Sequence, residues 1–114
     1  MDKERRKAPG ERRRAGRVPA VFAVKKSVGN KVHMCMAEDI GLAGITVKRA
    51  TVESYRPRTP VAVAFELPGS HDEIAARGVI TSDVSHGRYR RTGIRFLRVR
   101  SEHQQLIAAY CCRL

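Results

Sequence analysis

The chain has 114 residues with 42% hydrophobic content, which suits one packed domain and is too short for two of ordinary size. Its formal net charge of +12 favours anionic partners without choosing among them, while aromatics at 5% and the absence of tryptophan leave the core to aliphatic side chains. No apolar stretch is long enough to span a bilayer, and no apolar run follows the N-terminal charges as in a signal peptide, so a cytoplasmic location is expected.

Residues 1–17 hold eight basic and three acidic side chains, punctuated by Pro9, Gly10 and Gly16. Such a segment has no core of its own. Residues 1–10 are assigned as a disordered basic arm and 11–114 as the single domain, whose packed body begins near Val18.

A first strand is predicted over 20–27, ended by Ser27-Val28-Gly29-Asn30, residues that tolerate positive φ. Residues 31–38 then alternate, with Val32, Met34 and Met36 on one face and His33, Cys35 and Ala37 on the other. The two methionines are expected to fill the core. Gly41 and Gly44 mark a turn before a strand from Ile45 to Arg49. After a loop with Pro57 and Pro60, Val61, Val63, Phe65 and Leu67 alternate up to Pro68-Gly69-Ser70. Two more strands, 74–83 and 88–98, are joined by Ser85-His86-Gly87. Six strands fit a small antiparallel barrel or sandwich.

The period then changes. Ser101 with Gln104 three residues on makes a capping-box pattern, and Leu106, Ile107, Tyr110, Cys111 and Leu114 share one helical face. A C-terminal helix of about three turns is expected to pack on the strands. The three cysteines are odd in number and Cys111 and Cys112 are adjacent, so reduced thiols are expected.

Two short motifs carry the chemistry. Arg13 and Arg17 stand four apart on a segment that Gly16 and Pro19 keep out of helix. Asp39-Ile40-Gly41-Leu42-Ala43-Gly44 is an acidic residue opening a glycine-bearing turn. Guanidinium groups offer planar forks of donors to phosphate and to guanine O6/N7, and their faces stack on bases. A carboxylate accepts from the Watson–Crick N–H groups of guanine. Together they suit a small anionic guanine nucleotide.

In this layout residues 11–113 resemble the PilZ domain family: an Arg-x-x-x-Arg lead-in at Arg13 and Arg17, a strand, an Asp-x-Ser-x-x-Gly motif at Asp39, Gly41 and Gly44, further strands with Ile94-Arg95-Phe96 in the last, and a closing helix. The resemblance implies a mostly β fold, a six-stranded antiparallel barrel with a C-terminal helix. It also implies binding of the bacterial second messenger cyclic di-GMP.

The arginines would then address phosphate and guanine, Asp39 would receive guanine N–H donors, and Gly44 would let the backbone come close. Ordering of the arm on ligand would pass the signal to a protein effector. Arg12, directly before the first motif arginine, is associated in the family with a stacked ligand dimer. Gly41 stands where the family has serine. The lost hydroxyl costs about 0.5–1.5 kcal/mol, near tenfold in affinity at the upper end.

Each residue also has a plainer reading. Arg91 and Arg95 repeat the arginine spacing and read as one solvated strand face; Arg88, Arg90 and Arg91 read as a solvated strand edge, with extension of a positive groove as the alternative. His33 and Cys35 share a strand face without two further metal ligands. His103 is expected to face solvent, and Ser70-His71 and Ser85-His86 are loop neighbours. No catalytic apparatus is evident, so a non-enzymatic receptor is expected. A PilZ-fold adaptor that binds no nucleotide is the alternative. A nucleic-acid binder ranks below both, because stacking aromatics are scarce and no recognition helix is evident. Motility, adhesion, development and polysaccharide export are the alternatives for the pathway such a receptor would serve.

Overall fold

The computed structural model describes residues 16–112. The elements are β1 (Arg17–Pro19), β2 (Ala23–Val28), β3 (Lys31–Gly41), β4 (Gly44–Arg49), β5 (Pro60–Glu66), β6 (Glu73–His86), β7 (Tyr89–Val99) and α1 (Ser101–Cys111). Every strand pairing is antiparallel. Six strands close into a barrel in the order β3-β2-β5-β6-β7-β4, because β4 pairs with both β7 and β3. Short β1 is a seventh piece that the alternation does not reveal. It lies along the end of β3 that β2 leaves free, with Arg17 opposite Gly41 and Pro19 opposite Asp39.

The interior is aliphatic, with Val24, Ile40, Ile45, Val47, Ile74, Ile80 and Ile94 almost fully buried. Here one expectation is corrected. Met34 and Met36 do not fill the core: Val32, Met34 and Met36 face outward and are 57%, 60% and 40% exposed, while Cys35 and Ala37 are buried. The cause is an irregularity in β3. Ala37 sits opposite Val47 and Asp39 opposite Thr46, so β3 carries an extra residue, Glu38, between them. A bulge of one residue inverts the parity of the strand. Ile40 is drawn inside by its size, and the odd positions upstream, Cys35 and Ala37, go in with it.

Gly29, with φ +59°, serves the turn between β2 and β3, and Gly87, with φ +68°, serves the turn with Arg88 between β6 and β7. Beside that last hairpin, Asp83 has a side chain only 3% exposed and tightly held. It accepts from the Tyr55 backbone N–H at 2.8 Å, from Arg90 Nε at 3.2 Å and from Thr92 Oγ1 at 2.9 Å. The clamp ties the long loop after β4 to the barrel wall. Arg90 and Arg91 are therefore not a solvated edge: the first is bound to Asp83, and Arg91 pairs with Glu38, its Nε 2.7 Å from Oε1 and its Nη2 donating to Oε2 at 3.4 Å.

Helix α1 buries Ile107 and packs Leu106, Tyr110 and Cys111 against the core; the Leu114 assigned to the same face lies outside the described residues. Phe22 stacks on Phe65 at 5.4 Å and meets the Tyr110 ring edge-on at 6.4 Å, which fixes the helix on the barrel. Its cap differs from the expected box. Arg100, not Ser101, is the N-cap residue and makes no side-chain cap bond, so Ser101 already lies in the first turn. His103 is half-buried and accepts from the Ala75 backbone N–H at 3.3 Å through Nδ1, so it does not simply face solvent. No helix among the described residues is long and apolar enough to cross a membrane.

Candidate functional site

Pairing of β1 with the end of β3 brings Arg17 onto the barrel surface. Arg17 Nη2 lies 2.7 Å from Asp39 Oδ1, and Nε donates to the same oxygen at 3.0 Å. Its Nη2 also donates to Thr46 Oγ1 at 2.9 Å. The two motifs, 22 positions apart, thus meet directly. Both side chains remain partly open, Arg17 at 28% and Asp39 at 37% exposure, so neither is locked inside the protein.

The pair forms one wall of a groove of about 730 Å³. Thr46, Thr81, Ser82 and Gly93 contribute to its lining, and Arg95 stands in it from β7. That volume lies in the usual range of small-ligand sites. Its lining is mixed: hydroxyl groups and two guanidinium groups offer donors to an anion, Glu38 and Asp39 offer acceptors, and Val18, Pro19, Ala43 and Ile94 are apolar. Gly93 keeps this lining open: a Cβ there would come 2.6 Å from Ser82 Oγ and 3.2 Å from Thr81 Oγ1.

The two motif glycines are held by packing. A Cβ on Gly41 would sit 2.7 Å from the Gly16 carbonyl oxygen and 2.9 Å from Arg17 Cγ. A Cβ on Gly44 would overlap the Ile94 carbonyl oxygen, since β4 and β7 approach closely there. Both glycines are buried. Arg12 and Arg13 lie outside the described residues.

Two groove residues escaped the sequence reading. Arg95 repeats the spacing of Arg91, and a position in the closing strand was its only signal. It is exposed and has no carboxylate partner among the described residues, whereas Arg91 is paired with Glu38. Thr46 had no signal, because only the register of β3 against β4 sets it beside Asp39.

The family model for the PilZ domain matches residues 11–113. The chain belongs to the PilZ domain family. No curated protein matches it significantly. Solved PilZ-type folds agree in architecture. The inhibitor of motility MotI/DgrA of Bacillus subtilis superposes with a TM-score of 0.76 at 19% identity, over 83% of this chain and 47% of that one. The chain thus spans less than half of that protein. The PilZ domain of Escherichia coli YcgR, solved with c-di-GMP, gives 0.66 at 15% identity over 83% of this chain and 85% of that one. PlzA of Borreliella burgdorferi, also in complex with c-di-GMP, gives 0.54 at 8% identity, covering 91% and 48%. At these identities the likeness establishes the PilZ fold.

Proposed function

We propose that this PilZ domain is a non-enzymatic receptor for cyclic di-GMP that passes the signal to a protein effector. One observation carries the reading: the motif arginine and the motif aspartate meet at the wall of an open groove that also holds Arg95, a guanidinium with no carboxylate partner among the described residues. Cyclic di-GMP presents two phosphates and two guanines in a compact ring. Arg17 and Arg95 would address phosphate and base edges, and Asp39 would share its acceptor oxygens between Arg17 and guanine N–H groups. Arg13, four residues before Arg17, is within roughly 13 Å of extended chain and would close over the ligand from outside, with Arg12 beside it. A stacked ligand pair would use Arg12 as well.

Isothermal titration with cyclic di-GMP tests this. Binding in the micromolar range or tighter is expected, weakened in Arg13→Ala, Arg17→Ala and Arg95→Ala. No heat at high micromolar ligand, with the arginine variants indistinguishable from the parent, overturns it.

Gly41 supports a second reading, a PilZ adaptor working through protein contacts alone. The volume a serine side chain would need is occupied by Gly16 and Arg17, so β1 is packed where the family motif places a hydroxyl. The same titration separates the two readings.

A further inference from the structure

A second groove, of about 340 Å³, runs over the outer face of β2, β5, β6 and β7 and shares no lining residue with the one beside Arg17. Its floor is alanine: Ala62 and Ala64 on β5 and Ala75 on β6. Alanine is a weak strand former with nothing to pack against a neighbour, and three of them together leave a trough. Lys25 stands on one bank, and Arg77, Arg98 and Arg100 stand on the other.

The charges on these banks are poorly compensated. Arg77 and Arg98 sit directly opposite each other across β6 and β7, a like-charge pair that costs stability. Elsewhere Arg17, Lys31, Lys48, Arg49, Arg90 and Arg91 each have a carboxylate within ion-pair distance, while Arg56, Arg58, Arg88 and Arg95 have none among the described residues. Lys25, Arg77 and Arg98 have none among the described residues, and Arg100 has only Glu102, two positions along its own chain.

Shape narrows the occupant. Lys25 pairs with Ala64 and Ala64 with Ala75, so Arg77, on the strand of Ala75, stands two strand spacings or roughly 10 Å from the Lys25 strand, and Arg98, opposite Arg77 on β7, stands three or roughly 14 Å from it. An α-helix is roughly 10–12 Å across, and a floor of methyl groups lets its backbone settle low between the banks. No aromatic side chain lines the groove to stack on bases, and no exposed large apolar side chain lines it to enter a bilayer.

We propose that this groove docks an acidic helical segment of a partner protein, with carboxylates on both flanks meeting Lys25 on one side and Arg77, Arg98 and Arg100 on the other. The surface is independent of nucleotide binding and stands if that reading fails.

The probe is a fluorescein-labelled Ala/Glu helical peptide of about 18 residues, some 27 Å long, with glutamates flanking an alanine face. Its anisotropy is titrated with the full chain at about 0.1 M salt. Saturable binding is expected. Arg77→Gln with Arg98→Gln should weaken it by about tenfold or more. Arg56→Gln with Arg88→Gln removes the same charge outside the groove and should leave affinity within about twofold.

Thermal melts establish that both double variants fold, and an unchanged cyclic di-GMP titration of the first separates this surface from the nucleotide groove. The proposal is overturned by absence of peptide binding or by equal losses in both double variants. It is equally overturned if a single-stranded oligonucleotide or phosphatidylglycerol vesicles bind more tightly than the peptide with the same dependence on Arg77 and Arg98.

Discussion

Arg17 and Asp39 hold each other: the guanidinium Nη2 stands 2.7 Å from Oδ1, on residues that belong to paired strands β1 and β3. A ligand that uses both groups must enter around this ion pair and not between two free side chains. On the proposed reading Asp39 would therefore have two tasks, aiming Arg17 and accepting from the ligand.

Those tasks separate in a double-mutant cycle. Arg17→Ala should weaken cyclic di-GMP binding by about 1.5–3 kcal/mol, the usual worth of hydrogen bonds to charged groups. Because the pair is partly solvated, the same change should cost less than about 1 kcal/mol of folding stability. If Asp39 acts mainly by aiming Arg17, Asp39→Ala costs nearly as much affinity and the double variant little more. Additive losses, read by titration calorimetry, would show that the carboxylate meets the ligand on its own account.

Restoring the family serine at Gly41 should not improve binding. The new Cβ would press on the Gly16 carbonyl oxygen and Arg17 Cγ, and relieving such overpacking costs about 1–3 kcal/mol. Gly41→Ser is therefore expected to loosen β1, seen as faster amide exchange at Val18, with affinity equal or lower. Tighter binding with unchanged exchange contradicts that packing argument.

Asp83 should matter for stability and not for ligand. Asp83→Ala strips partners from the Tyr55 N–H, Thr92 and the partly buried Arg90 at once. A loss of about 3–5 kcal/mol is expected from breaking a buried pair on one side. Chemical denaturation measures it; a change under about 1 kcal/mol would mean that water replaces the carboxylate without penalty.

The thiols should separate by burial. Cys112 is exposed and should react first with maleimide, Cys111 more slowly, and buried Cys35 only as the barrel opens. Burial pushes the Cys35 thiol above its ordinary value of 9.0, with Lys26 and Arg49 pulling partly the other way. A raised value in the folded state gives stability that is complete below the ordinary thiol range and is lost as pH climbs above it. Melting temperature should therefore fall above about pH 9 more steeply in the parent than in Cys35→Ala. Parallel curves would assign the alkaline loss to other groups.

Six strands, their approximate limits and the closing helix were legible in the sequence, because alternation and turn residues are local properties. Val61, Val63 and Phe65 on β5 alternate inward as their pattern predicts. The Met34–Met36 face was misread for a physical reason: a one-residue bulge inverts parity, and nothing in residues 31–38 announces it.

The residues of the two motifs, and hence membership of the PilZ family, are determined by the sequence alone, since a family motif is a matter of residue type and spacing. Only the tertiary structure decided that Arg17 reaches Asp39 and Thr46, that Gly41 and Gly44 are held by packing, and that Arg95 lines the groove. Those facts depend on which strand edges lie side by side and in what register. Such contacts join positions tens of residues apart, and no local pattern of side chains encodes them.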